Sequence, residues 1–362
     1  MDELTLLSSA YGAFFLLIAI EAGLSYRRKL GYYRLGEATS NVAHGVAYQT
    51  LDVFTKGLVM VPYLAISHIA PLSLPLDAWW AWLLGLVAYD FCSYWSHRHH
   101  HEIGFLWAIH GVHHAAEDFN LAAALRQPLL QQLFKWAWTL PLALFMPVEM
   151  FVGIVVFDFL YQFVQHTRFV GKLGPLEWLM NTPSHHRVHH GTDPHYLDKN
   201  YGGIFILWDR LFGTFQAEKD EPTYGLTKPI GCLDPIWGNL HLYAELVKAS
   251  KRAATTSIAR AIRLWFAGPG QLDKLAPGGI SQPHTPLADE RLSLVSRLGL
   301  GLTLTIIVVS LTGLIIWGTE QSLSVQLGLS ALVLVGLFAI GGILRHAERH
   351  ARITRSSEIS QM

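Results

Sequence analysis

Seven apolar runs, each of membrane-spanning length, dominate this chain of 362 residues, at about 9–25, 50–70, 77–95, 128–147, 150–166, 296–317 and 324–344. A spanning helix needs roughly 17–25 mainly apolar residues. In lipid every backbone polar group must be satisfied within the segment, and a helix does that. The expected fold is therefore an all-α integral membrane protein of about seven transmembrane helices. Composition agrees, with 51% hydrophobic and 15% charged residues against about a quarter charged in soluble domains. The N-terminus is acidic, and its apolar run is followed by Arg27, Arg28 and Lys29. A secretory signal has the reverse order, so residues 9–25 read as a spanning helix.

Glu21, Asp52, Lys56 and Asp90 interrupt these runs and must face protein or a polar cavity rather than lipid. Asp52 and Lys56 stand four apart, where a helix lets them pair. With the N-terminus outside, seven crossings put residues 26–49, 96–127, 167–295 and the tail from Arg345 in the cytosol. Those segments carry nearly all the Lys and Arg, including Arg345, Arg349, Arg352 and Arg355, as the positive-inside rule requires. A multi-pass protein of a bacterial inner membrane or the endoplasmic reticulum is expected, with a cytosolic helical cap. Residues 1–84 form the N-terminal transmembrane unit, 221–292 cytosolic amphipathic helices and a linker, and 293–362 a transmembrane hairpin with a basic tail. Within the third segment, 234–265 sets Lys248, Lys251, Arg252, Arg260 and Arg263 among apolar positions. That pattern suits a helix on an anionic membrane surface or one packed on the core. The Pro- and Gly-rich stretch 267–292 reads as the linker. Zero net charge gives no sign of a nucleic-acid partner. The two cysteines, Cys92 and Cys232, have no metal-binding or disulfide spacing. There is no internal repeat, Walker loop or dinucleotide glycine fingerprint, and nothing sets an oligomeric state.

Histidine is the outlier: of 19 in the chain, 11 fall within residues 97–114 and 185–190. His97 and His101 are four apart, on one helix face. His110, His113 and His114 have i, i+3, i+4 spacing, and His186, His189 and His190 repeat it. The spacing predicts two tripods and a pair, enough for four nitrogens on each of two metals. The parity of the crossings puts both clusters on the same side. Buried together without metal, these rings would need many partners and would repel when protonated. Imidazole suits zinc, copper, iron and nickel alike. A catalytic zinc site needs only about three protein ligands, and zinc has no redox chemistry, so two irons that use O2 are the expected pair. His166 ends an apolar run at the same boundary and is a further candidate ligand. His99, His100 and His185 lie off the ligand faces. Asp90, Glu102, Glu117, Asp118 and Asp193 are expected to hydrogen-bond ligand imidazoles, with Glu102, directly after His101, nearest the metal. Asn120, Arg126, Asn181, Asn200 and Asp209 are expected to cap helices and pair charges.

At these residues the chain resembles the fatty acid hydroxylase / sterol desaturase superfamily, whose boxes are H-x3-4-H, H-x2-HH and H-x2-HH. They stand here as HRHHH, HGVHH and HRVHH. WAIHGVHHAAEDFNLAAALRQ, LGPLEWLMNTPSHHRVHHG and LDKNYGGIFILWDRLFGTFQAE are most similar to its alkylglycerol monooxygenase branch and bacterial relatives. The resemblance covers roughly residues 85–220, the expected catalytic domain. It implies a dimetal centre of His97, His101, His110, His113, His114, His186, His189 and His190. It also implies a required glutamate at Glu102 and tetrahydrobiopterin as reductant. No pterin motif is recognisable, so a ferredoxin or a cytochrome b5 type donor stays open beside it.

The expected activity is hydroxylation of a membrane lipid, and attack next to an ether oxygen would cleave an alkyl ether lipid. Tyr94, Trp95, Phe105, Trp107, Phe157, Phe159, Tyr161 and Phe163 either line a tunnel for the lipid tail or simply pack. A desaturase using the same centre is a second reading. A metal sensor or transporter is a third, but transport predicts ionisable groups spread through the membrane depth, and these histidines gather at one face.

Overall fold

The computed structural model describes residues 3–275 and 292–359, and among them every regular element is helical. The helices are α1 (Glu3–Arg27), α2 (Leu35–His68), α3 (Trp79–Glu102), α4 (Gly104–His114), α5 (Gln131–Thr139) and α6 (Val148–Gln165). After them come α7 (Pro183–His189), α8 (Leu207–Phe212), α9 (Pro235–Ala254), α10 (Ile258–Phe266) and α11 (Pro269–Leu275). The pair α12 (Leu294–Trp317) and α13 (Leu323–Ile359) closes the chain.

Among the described residues, four helices are long and apolar enough to cross a membrane: α2, α6, α12 and residues 323–349 of α13. The expectation of seven spans is reduced accordingly. The run at 128–147 is not one helix: α5 has nine residues and gives way to a 3-10 turn at Leu140–Leu144. Pro141 lacks the N–H that would continue α5, and nine residues reach only about 14 Å, half the hydrocarbon core. The run at 50–70 is the second half of α2, whose first half, from Gly36 to Tyr48, is buried against the core. The run at 77–95 continues through the first histidine box as one helix, α3.

Two apolar cores fix the frame. Val46 of α2 packs with Leu300 and Ile307 of α12 and Leu337 and Ile340 of α13. Tyr63, Tyr89, Met150 and Ile154 join α2, α3 and α6. The interrupting charges do face protein or a cavity. Asp90 accepts from the backbone N–H of Ile204 (2.8 Å) and Phe205 (3.0 Å) and from the Trp208 indole (2.9 Å). Glu21 accepts from Leu121 N (2.8 Å), Tyr33 Oη and Thr167 Oγ1, tying α1 to the site loops. Asp52 and Lys56 both line an internal cavity.

The segment 234–265 is two helices. Leu246, Ala249 and Ala253 of α9 and Leu264 of α10 pack on Ala108 of α4, the core-packing reading. Gly104 makes this possible, because a Cβ there would lie 2.6 Å from the Leu264 carbonyl oxygen. Of the linker, 269–275 is helical, and residues 276–291 lie outside the described residues, as do the side chains of Arg352 and Arg355 in the tail. Arg345 pairs with Asp234, so the basic end of α13 sits beside the start of α9, on the side of α4 and its histidines.

Candidate metal centre

Each ligand candidate is placed by a helix terminus. The last turns of α3 carry His97 and His101, α4 carries His110, His113 and His114, and His166 caps α6. His186, His189 and His190 lie on α7 and its C-cap. Pro183 opens α7 at a position where its missing N–H costs nothing. Asn181 Nδ2 donates to the Gly202 carbonyl (2.5 Å), and Asn200 Nδ2 donates to His185 O (3.1 Å) and Gln216 O (2.7 Å). These bonds close the loop 191–203 beneath the box. Asn120 caps a turn by accepting from the N–H of Ala122 and Ala123, and Asp209 from that of Tyr201 and Gly202. Arg126 reaches Val112 O, Ser40 and Asn41.

The fold brings the nine histidines together as two groups. His97, His101, His110, His114 and His189 form one, and His113, His166, His186 and His190 the other, with ligand atoms of each group within 4.8 Å of one another. Each tripod is therefore split between the two groups. In each H-x2-HH box the i, i+4 pair serves one group and the middle histidine serves the other. Residues i and i+4 on a helix are separated by about 40° around the axis, whereas i+3 lies about 60° from i in the other sense and so about 100° from i+4.

The outer ring nitrogens are held by oxygens. His97 Nδ1 donates to Tyr201 O (2.8 Å), His110 Nδ1 to Gln131 Oε1 (2.9 Å) and His113 Nδ1 to Arg126 O (3.1 Å). His166 Nδ1 donates to Gln162 O (2.9 Å) and His189 Nδ1 to Lys199 O (2.9 Å). A proton on Nδ1 leaves Nε2 with a bare lone pair. Yet His97 Nε2 lies 3.0 Å from His110 Nε2, and His113 Nε2 lies 3.2 Å from His166 Nε2. Two lone pairs at that distance repel unless a cation lies between them. Nitrogens bound at right angles to one ion at about 2.1 Å would be about 3.0 Å apart, so the donors fit a metal. His101, His189 and His190 each keep a buried Nε2 with no hydrogen-bond partner, which fits it as well. Burial, reinforced by the neighbouring imidazoles, holds His97, His101, His110, His113, His114, His186 and His190 well below the usual histidine pKa. Burial lowers His166 and His189 to about 4. All nine are neutral donors at physiological pH.

The other sequence candidates lie elsewhere. Glu102 pairs with Arg98 (2.8 Å) and is 43% exposed, outside both groups. Oxygens of carbonyls and of one carboxamide hold the imidazoles, a role expected of carboxylates. Asp118 binds Arg34, Asp193 receives the N–H of Thr223, and Glu117 pairs with Arg34. His99 accepts from the Trp138 indole, His100 Nδ1 bonds Ser96 O, and His185 packs on Phe215. Sequence reasoning missed Gln131, Tyr201 and Gln162. Gln131, Gln132 and Lys135 interrupt the 128–147 run, and that was the available signal.

Two cavities flank the rings. One, of about 350 Å³, reaches His97, His110, His113, His166 and His186 and extends between α2, α3, α5, α6 and α12 as far as Leu314. The other, of about 230 Å³, touches His101, His114, His189 and His190 and lies beneath α9, with Trp107 in its wall. Between them they touch all nine rings and share none. Of the eight aromatics considered for a tunnel, Phe159 and Phe163 line the first cavity and Trp107 the second. Tyr94 and Trp95 pack on Phe212 instead.

Residues 82–214 match the family model described as fatty acid hydroxylase. The chain is 38% identical over 258 residues to an alkylglycerol monooxygenase of Xenopus tropicalis, covering 71% of this chain and 57% of that protein. It is 43% identical over 258 residues to an alkylglycerol monooxygenase of Homo sapiens, covering 71% and 56%. It is 29% identical over 217 residues to an ornithine lipid hydroxylase of Rhizobium tropici, covering 55% and 63%. The chain thus spans little more than half the length of the first two relatives. No solved structure matches it.

Proposed function

We propose that this chain, whose residues 82–214 are a fatty acid hydroxylase domain, is a membrane-bound non-haem diiron monooxygenase acting on an alkyl ether lipid. The observation that carries the metal centre is the pair of facing Nε2 lone pairs at 3.0 and 3.2 Å, each locked by an oxygen behind its ring. Iron bound by the two groups supplies oxygen activation and electron transfer, which imidazole alone cannot. The balance is one C–H bond, O2, two electrons and two protons in, and one C–OH and one water out. On the carbon next to an ether oxygen the product is a hemiacetal, which separates into an aldehyde and an alcohol. The first cavity lets a lipid enter between the membrane-length helices and holds its reacting carbon against the rings while excluding bulk water.

The electrons come from the opposite side. The second cavity has room for a small reductant such as tetrahydrobiopterin beside rings that are buried 94–96%, and a ferredoxin or a cytochrome b5 type donor would pass electrons through the same wall. The basic end of α13, held at Asp234, supports a cytosolic position for the centre. The required role for Glu102 would run through Arg98 and the last turn of α3. The test is lipid analysis of membranes with and without the chain under oxygen, beside the double variant His113→Ala/His114→Ala. Loss of alkyl ether lipid only with the wild type supports the reading. No change in any lipid, with iron bound, overturns it. A desaturase would instead yield a lipid two hydrogens lighter with no oxygen added.

A further inference from the structure

Helix α10 is packed on one side only. Leu264 is fully buried against α9 and Ala108 of α4, with Ala261 and Trp265 beside it. Ile258, Ile262 and Phe266 of the same helix are 72%, 58% and 63% exposed. Their i, i+4, i+8 spacing sets them in one stripe about 80° wide, next to the packed side. Arg263 and Arg260 occupy the remaining side, about 100° and 160° from the centre of the stripe. A row of large apolar side chains left bare on a surface helix marks a contact with something else. We propose that α10 is an interfacial helix, its stripe sunk into an anionic bilayer surface and its arginines set on lipid phosphates.

Charge selects the partner. From Leu246 to Leu272 the chain carries Lys248, Lys251, Arg252, Arg260 and Arg263 and no carboxylate. Among the described residues no carboxylate pairs with Lys251, Arg260 or Arg263. An apolar stripe flanked by cations is the pattern of a helix lying in the headgroup layer, where acyl chains take the stripe and phosphates the cations. Position agrees. Phe266 meets Phe105 edge-on at 5.9 Å, and Phe105 meets Phe134 of α5 at 5.9 Å. The stripe therefore runs on into the flank of the helix bundle and does not end as an isolated patch. Length agrees too, since nine residues reach about 14 Å, enough to lie along a membrane and too short to cross it. Packing on the core and contact with lipid are then two faces of one helix. Ala267 and Gly268 join α10 to α11, whose Pro269, Gly270 and Leu272 line the second cavity. The docked helix thus holds one wall of that cavity at the membrane surface. The inference needs only the membrane-length helices, not the oxygenase reading.

The test uses the full chain in nanodiscs of phosphatidylcholine and phosphatidylglycerol. In a Cys92→Ser/Cys232→Ser background, a fluorophore is attached at Ile258→Cys, Ile262→Cys or Phe266→Cys, with Arg260→Cys as the control. All four positions are exposed, so the labels leave the packing undisturbed. Doxyl-labelled lipid should quench the three stripe probes, and aqueous iodide should quench the Arg260→Cys probe. With the doxyl group carried by phosphatidylglycerol, the Ile262→Cys probe should be quenched at about fivefold lower mole fraction than with phosphatidylcholine, the attraction of one cation near an anionic surface. Adding Arg260→Gln/Arg263→Gln should remove that preference. Iodide reaching the stripe probes as readily as the control overturns the proposal. So does protection from both quenchers, which would mean that protein covers the stripe, either a second copy or another segment of this chain. Equal quenching by the two doxyl lipids overturns the assignment to an anionic surface. Iron content and turnover enter none of these readouts, so failure of the oxygenase reading leaves them unaffected.

Discussion

Replacing Gln131 by Leu should loosen one metal position and leave the other intact. The His110 ring is 4% exposed, and its Nδ1 proton rests on Gln131 Oε1 at 2.9 Å. Without that acceptor the buried N–H loses its partner, at about 1–3 kcal/mol. The alternative tautomer, which places the proton on the ligating Nε2, becomes competitive and weakens the donor further. Together these are roughly a 10- to 100-fold loss of affinity, the usual range for removing an outer partner of a ligand histidine. His110 belongs only to the five-ring group, so the loss is confined there. Iron content measured across a chelator titration should become biphasic, with half the metal leaving at about 10- to 100-fold lower chelator. Gln131→Glu should restore a single transition, since a carboxylate accepts the same bond more strongly. If both irons leave together, or if the titration matches the wild type, the assignment of rings to separate groups is wrong.

His166→Ala should lower bound iron, whereas His185→Gln should leave it unchanged, because only His166 belongs to a ligand group; metal analysis of the two variants decides. Gly104→Ala should destabilise the fold by about 1–3 kcal/mol, since its new Cβ would press on the carbonyl oxygens of Leu264 and Ala267 at 2.6 and 2.8 Å; thermal unfolding of the detergent-solubilised protein measures this. Trp107→Leu should slow reduction of the centre by tetrahydrobiopterin several-fold while lipid KM and iron content hold, because Trp107 lines only the second cavity; stopped-flow reduction without lipid reads it directly.

The clustering of the box histidines was legible because helical periodicity is short-ranged: i, i+3 and i+4 spacing says which rings share a turn before any tertiary contact is known. How those rings divide between two groups was not legible, since it depends on the angle at which α4, α7 and α3 converge. The oxygens that fix the tautomers were invisible for a related reason. Arg126, Gln162, Lys199 and Tyr201 act through their backbone carbonyls, which every residue possesses, so no residue type marks them. The span count failed where hydropathy was averaged across a helix break. The 128–147 run is apolar enough in sum, but Pro141 and the polar face of Gln131, Gln132 and Lys135 make it a short helix beside a cavity. Those three residues carried the information that the window average removed.

The division of the rings between two cavities bears on the order of events. The lipid-side cavity touches His97 and His110 of the five-ring group and His113, His166 and His186 of the four-ring group. The opposite cavity touches His101, His114 and His189 of the first and His190 of the second. Each metal position is therefore approachable from both sides. A lipid in the first cavity would leave uncovered the rings that a reductant beside Trp107 would approach. Reduction and lipid binding need not compete, and neither must precede the other. On the proposed function, the four ring-bearing helix ends, of α3, α4, α6 and α7, would form a wall with oxidisable carbon on one side and the electron source on the other. That separation would keep a diffusible reductant away from the lipid carbon under attack.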